Sequence, residues 1–412
     1  MIINNLIGYQ VLDSRGRPTV AVTITLADGS VHTARVPSGA STGKHEAKEL
    51  RDSDGSSVLK ACGNVNEIIA PKLIGAEADL SHADEILKNL DPSQDHHVLG
   101  ANATLAVSLA VTKAAAAAKG QSVARYFQPE GPLLIPMPMV NILSGGAHAN
   151  RTMDIQDVLV LPNGATSFNQ AITWITAIRE NAAKRGAKIG PSHLIADEGG
   201  LGLAFESIDA ACEFVTKSIE EVGLQVGSQV SLALDIASTQ FFENGKYSLP
   251  TLGKEFTSSQ FVAFMAKLVK DQPIISIEDP LAEDDWPAWA EFTSLVPDSL
   301  QILGDDLFTT NHERLDRGIA EGSANAILIK ANQNGLVTDT HHVLRTAKAT
   351  NFRTVVSARS GETEDSWLAD LATGWRAEQI KVGSTHGADR TSKWNRLLEL
   401  EAIEQTEFAK PF

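Results

Sequence analysis

Ile274-Ile-Ser-Ile-Glu-Asp-Pro280, Leu300-Gln-Ile-Leu-Gly-Asp-Asp306 and Ala326-Ile-Leu-Ile-Lys330 are three short apolar runs, each closing on charged residues. Leu232-Ala-Leu234 and Thr354-Val-Val356 repeat the form. Segments of helical period alternate with such runs: Ser167 to Arg185, Ser207 to Val222, Ser259 to Val269 and Val337 to Ala349. Serial βα units follow from this alternation. A closed (β/α)8 barrel and an open doubly wound sheet share the pattern. The unit number and the length of roughly 280 residues favour the barrel, as does the lack of a glycine-rich dinucleotide turn after the first strand.

Upstream the pattern changes. Thr19-Val-Ala-Val-Thr-Ile-Thr-Leu26 and Val31-His-Thr-Ala-Arg-Val36 alternate about an Asp28-Gly29 turn, which predicts a β-hairpin. Helical periodicity follows around Asn66 to Ile74, His82 to Leu90 and Ala101 to Ala118. The proline-rich Gln128 to Pro132 makes a boundary, giving an α+β domain over 1–130 and the barrel over 131–412.

With 35 Lys plus Arg against 51 Asp plus Glu, the formal charge of -16 argues against nucleic acid or an anionic membrane as partner. An anionic substrate would need a site of reversed local sign. The first residues lack a secretory pattern and no run is long enough to span a bilayer, so a cytoplasmic protein is expected. Cys62 and Cys212 lack partners at ligand spacing, which excludes a disulfide framework or a zinc site.

Polar residues recur where apolar runs end: Glu198 after Leu194-Ile-Ala196, then Asp235, Glu278, Asp305, Lys330, Arg359 and Lys381. In a βα barrel the carboxyl ends of the strands share one mouth, so these residues would converge there. Any single acid after a strand is more simply a helix cap; seven in register are harder to dismiss. Asp235, Glu278 and Asp305 offer hard oxygen ligands suited to Mg²⁺. A lysine beside Mg²⁺ and a second ammonium group should have a depressed pKa and could act as a general base, with a structural ion pair as the equal alternative. Arg359-Ser360 could clamp phosphate or carboxylate.

Eight stretches then resemble the signatures of the enolase family, in family order. They are Asp13-Ser-Arg-Gly-Arg-Pro-Thr-Val20, Val36-Pro-Ser-Gly-Ala-Ser-Thr-Gly43, Leu99-Gly-Ala-Asn102, Asp197-Glu-Gly-Gly200, Ser276-Ile-Glu-Asp-Pro280, Gly304-Asp-Asp-Leu307, Leu328-Ile-Lys-Ala-Asn-Gln333 and Ser360-Gly-Glu-Thr-Glu-Asp365. The resemblance implies an α/β fold: an N-terminal α+β lid domain and a C-terminal enolase-type (β/α)8 barrel whose first units depart from simple βα order, in a homodimer. It also implies two Mg²⁺ sites, with Asp235, Glu278 and Asp305 holding one ion and Ser41 helping to hold the other. Lys330 would be the base that removes the proton α to a carboxylate, and Glu198 the acid. Gln156 would lie near Glu198, while His148, Arg359, Ser360 and Lys381 would contact a small phosphate or phosphonate substrate.

Two pocket positions depart from the family. Ala358, in Val355-Val-Ser-Ala-Arg-Ser360, stands where the family has histidine, and Asp157 stands where it has glutamate. The loops His148-Ala-Asn-Arg151 and Gly383-Ser-Thr-His-Gly-Ala-Asp-Arg390 differ as well. Both pocket changes shorten a side chain toward the leaving group. They lead to the expectation of a specialised enzyme, similar to the carboxyphosphonoenolpyruvate synthases of phosphonate biosynthesis. An ordinary phosphopyruvate hydratase and a non-catalytic relative are the alternatives.

Overall fold

The computed structural model describes residues 1–40, 43–149 and 152–412, with the backbone alone at 147 and 148. Strands β1 (Ile3–Leu12), β2 (Pro18–Leu26) and β3 (Val31–Arg35) form an antiparallel sheet in that order. The expected hairpin is β2–β3. β1 went unread because Asn4, Asn5 and Gly8 break the alternation. It is an edge strand, and Asn66 continues its pairing: the Gly8 N–H donates to Asn66 Oδ1 (2.8 Å) and Asn66 Nδ2 donates to the Gly8 carbonyl (2.9 Å). That bond sits in a π-helical stretch, Asn64–Ile69, where a plain α-helix was expected.

Helix Ala101–Ala118 forms as read and is predominantly apolar and buried along most of its length. By length and composition it could cross a membrane, yet 83% of it is buried inside this protein, so it is a core helix. Its alanines allow the sheet to pack closely against it.

Eight further strands close a barrel. In chain order they are β4 (Met137–Ser144), β5 (Asp157–Leu161), β6 (Ser231–Asp235), β7 (Ile274–Glu278), β8 (Gln301–Gly304), β9 (Ala326–Ile329), β10 (Arg353–Ser357) and β11 (Gln379–Lys381). Neighbours are parallel except around β5, which runs antiparallel to both β4 and β6. The barrel is therefore of the departing type, and the reversal has a consequence. The start of β5, not its end, shares the mouth with the ends of the other strands. Leu194-Ile-Ala196 is no strand, contrary to the sequence reading: Leu194 and Ile195 are half-exposed and only Ile195 makes a single bridge, to Leu201.

Met137, Met139, Leu159, Leu161, Ala233, Leu303, Ala326, Leu328 and Val355 fill the barrel interior. Gln301 crosses it, donating to Ser276 Oγ (2.9 Å) and accepting from Gln379 (2.6 Å), so the buried amides are satisfied. Outer helices start on side-chain caps, Ser167, Ser207 and a Thr257–Gln260 capping box among them.

The N-terminal helix Leu80–Leu90 meets the barrel helix Val337–Ala349 through Asp84, whose Oδ2 accepts from the Thr338 N–H (3.0 Å) and hydroxyl (2.7 Å). Burial pushes this carboxyl up from 3.8 to about 6, although hydrogen bonds from Ser108 and Thr338 oppose the rise. The folded state thus holds the proton more tightly than the unfolded chain. Stability from this group is greatest below the unfolded pKa and declines as pH rises through about 6. Asp84→Asn is expected to remove that decline, on the order of 2 kcal/mol. Thermal unfolding from pH 4.5 to 7.5 should show the variant's advantage growing with pH; a constant offset would refute it.

Candidate active site

Adjacent parallel strands set Asp235 and Glu278 side by side at the ends of β6 and β7. Asp305 follows β8, Lys330 follows β9, Arg359 follows β10 and Lys381 ends β11. Because β5 is reversed, Asp157 lies opposite Asp235 in register, with Gln156 one residue nearer the mouth. One cleft is lined by Gln156, Glu198, Asp235, Asp305, Lys330, Ala358, Arg359, Ser360 and Lys381, from seven separated positions in the chain. Ser41 and the His148 side chain lie outside the described residues.

The centre of the cleft is a lattice of opposite charges. Lys381 Nζ lies 2.7 Å from both Asp235 Oδ2 and Glu278 Oε2. Gln156 Nε2 also donates to Asp235 Oδ2 (2.9 Å), and Lys330 pairs with Asp305. Burial disfavours ionised Asp305, but Lys330 outweighs it and holds the carboxyl below its usual range. Burial and the neighbouring Asp235 drive Glu278 well upward despite Lys381. The lysines move in one direction: burial alone would lower them, yet Asp305 raises Lys330 and the Asp235–Glu278 pair raises Lys381 strongly. Lys330 thus takes the ion-pair alternative, while the depressed pKa was expected beside Mg²⁺. Its ammonium is locked to a carboxylate, and its basicity depends on a second cation taking that carboxylate's charge.

The donor set suits such a cation. Among the described residues Glu278 Oε1 is buried without a hydrogen-bond partner, and Asp235, Glu278 and Asp305 supply only hard oxygens. Carboxylate oxygens of Asp279, Asp305 and Asp306 also converge to within 4.8 Å of one another, a grouping the sequence reading did not make. Asp279 already uses both oxygens, accepting from the Asp305 N–H (3.0 Å) and the Asp306 N–H (2.8 Å). Burial, then Asp305, lifts Asp306 to about 8.

At the opposite end, Asn141 Nδ2 donates to Glu198 Oε2 (3.1 Å). Ala358 is 6% exposed on the cleft wall and presents only a methyl group. Asp157 is not among the residues lining the cleft, although its charge reaches Lys381. Its carboxyl is fully buried behind the wall and accepts from Ser144 Oγ (2.6 Å).

Arg359 and Ser360 are also more engaged than an open anion clamp. Arg359 Nη1 donates to Glu46 Oε2 (2.8 Å) and Asn332 Oδ1 (3.0 Å), and Ser360 Oγ accepts from the Ala40 N–H (2.8 Å). Both thereby tie the mouth to the N-terminal loop. Sequence reasoning missed Glu46, Asn141, Gln240, which donates to Gln156 Oε1 (2.7 Å), and Gln333, which donates to Asp305 Oδ1 (2.8 Å). Of these only Gln333 carried a signal, the polar end of Lys330-Ala-Asn-Gln333.

Known proteins share both halves of this arrangement. Residues 3–127 match the family model described as enolase, N-terminal domain, and residues 132–409 match enolase, C-terminal TIM barrel domain. The chain is 43% identical over 404 residues to a protein named enolase from Nitratiruptor sp., covering 97% of this chain and 96% of that one. It is also 43% identical over 413 residues to an enolase from Campylobacter jejuni, covering 99% of each.

Proposed function

Because this chain belongs to the enolase family, as an enolase-superfamily lyase, we propose that it interconverts 2-phosphoglycerate and phosphoenolpyruvate as a Mg²⁺-dependent phosphopyruvate hydratase. The observation that carries this reading is the pairing of Lys330 with Asp305, beside Lys381 between Asp235 and Glu278. A lysine base and a carboxylate cage occupy one cleft.

In the proposed reaction Lys330 Nζ takes the proton from the carbon α to the substrate carboxylate. The electron pair left behind spreads onto that carboxylate, and Lys381 adds fixed positive charge beside it. Collapse of the pair forms the carbon–carbon double bond and breaks the bond to the β-hydroxyl, which leaves as water with a proton from Glu198. Asp235, Glu278 and Asp305 would hold Mg²⁺, with Ser41 toward a second ion. As in enolase-superfamily sites generally, such ions stabilise the doubly charged carboxylate. Arg359, Ser360 and His148 would meet the phosphate once the N-terminal loop releases the first two. A homodimer in the cytoplasm belongs to the same proposal.

Enol absorbance on mixing the protein with 2-phosphoglycerate and Mg²⁺ tests the reading. Turnover should vanish with a chelator and return with added Mg²⁺; activity indifferent to chelation would contradict the metal role.

One observation favours a second reading. The cleft wall carries the Ala358 methyl where the family has histidine, and Asp157 stands behind it where the family has glutamate. That supports a carboxyphosphonoenolpyruvate synthase, in which enolization is kept and a bulkier phosphonate is accommodated. The family relatives fit the hydratase better. Phosphorus NMR with 2-phosphoglycerate and phosphonate analogues separates the two, since normal hydratase turnover excludes the specialised reading.

A further inference from the structure

Behind the loop of Glu198 lies a charge that the proposed reaction does not use. Arg179, on helix Phe168–Gly186, is 2% exposed, and no carboxylate among the described residues pairs with it. Burial alone pulls its guanidinium down to about 10. A buried cation without a counter-ion is costly, and an apolar side chain could fill the same volume. The retained charge therefore calls for a reason.

Its bonds supply one. Arg179 Nη2 donates to the Gly199 carbonyl (3.1 Å) and Nε donates to Ser384 Oγ (3.2 Å). The Ser384 N–H donates in turn to the Glu198 carbonyl (2.8 Å). Two loops thus interlock, the one bearing the acid and the one following Lys381. They approach more closely than side chains permit. A Cβ on Gly199, at φ +84°, would lie 2.8 Å from the His386 carbonyl; one on Gly383, at φ +114°, would lie 2.7 Å from the Glu198 carbonyl. Arg390 ties the two loops from one side, through the Val382 (2.9 Å) and Asp197 (3.4 Å) carbonyls, and Arg179 bonds both halves from the helix layer behind.

We propose that Arg179 is a positioning residue for Glu198, fixing the acid's loop against the loop after Lys381 through Gly199 and Ser384. This rests on the reading of Glu198 as the acid. Arg179 makes no bond to Lys330, Asp305 or the segment between them, so its effect should fall on the departing group and spare the α-proton.

Amide hydrogen exchange of the parent, Arg179→Met and Arg179→Lys tests the placement without relying on activity. Arg179→Met should speed exchange about tenfold at residues 198–200 and 383–385 and leave 304–310 and 328–334 unchanged. Arg179→Lys should recover part of the protection. In parallel, dehydration of 2-phosphoglycerate should fall about tenfold while solvent exchange of its α-proton stays within about threefold. Unchanged amide exchange at both loops, a uniform rise across the barrel, or equal loss of both activities would overturn the proposal. Should Arg179→Met fail to fold, Ser384→Ala removes one acceptor and is read by the same criteria. A parent without turnover would sink the hydratase reading, while the amide exchange would still decide the role of Arg179.

Discussion

Lys330→Ala is expected to slow solvent exchange of the substrate α-proton by roughly 10²–10⁴-fold, with the barrel still folded. Lys330 directly follows β9 and pairs with Asp305, so it is the lysine whose proton depends on whether that carboxylate is occupied elsewhere. The measurement is proton NMR in deuterium oxide at saturating Mg²⁺, with thermal unfolding as a control for the lost ion pair. Lys381→Met makes the comparison specific. Lys381 sits between Asp235 and Glu278, so its loss should weaken substrate and metal binding more than it lowers exchange at saturation. Exchange within about tenfold of the parent in Lys330→Ala would remove this lysine from the base role.

Restoring the leaving-group end is the second large effect. Ala358→His with Asp157→Glu is expected to raise dehydration of 2-phosphoglycerate about tenfold or more without changing α-proton exchange. The first change fills the cleft wall, where only a methyl group now stands. The second lengthens by one methylene a carboxylate that is held back at Ser144. Asp157 is fully buried, so the longer side chain carries an overpacking cost of about 1–3 kcal/mol, to be followed by thermal unfolding. A double variant that folds and gains nothing would show that these positions do not limit departure of the hydroxyl.

Much of this architecture was readable because barrels repeat. Leu232 to Leu234, Ile274 to Ile277 and Ala326 to Ile329 each bury both faces of a strand, and each hands a charged residue to one mouth. Where the chain departs from that repeat, the reading failed. β5 runs backward, so Gln156 reaches the mouth by preceding a strand, and only the family resemblance singled it out. Glu198 was found for a wrong local reason, since Leu194 to Ala196 is a loop. β1 escaped notice because an edge strand needs no alternating face when Asn66 completes its bonds.

Pairings across the domains were less legible still. Nothing in the sequence near Arg359 announces Glu46 as its partner, 313 residues away. Residue types reveal charge, but which opposite charge claims a given side chain depends on the three-dimensional packing. At Lys330 the same limit held: an ion pair was the equal alternative in the sequence, but Asp305 was not singled out as its partner.

Proton exchange at the carbon α to the carboxylate of 2-phosphoglycerate, followed by proton NMR in deuterium oxide with the unmodified protein and Mg²⁺, tests the proposed enolization directly. Loss of the α-proton signal, faster than the metal-free control and abolished in Lys330→Ala, is the expected result. A signal that persists at saturating substrate and Mg²⁺ would contradict base catalysis in this cleft.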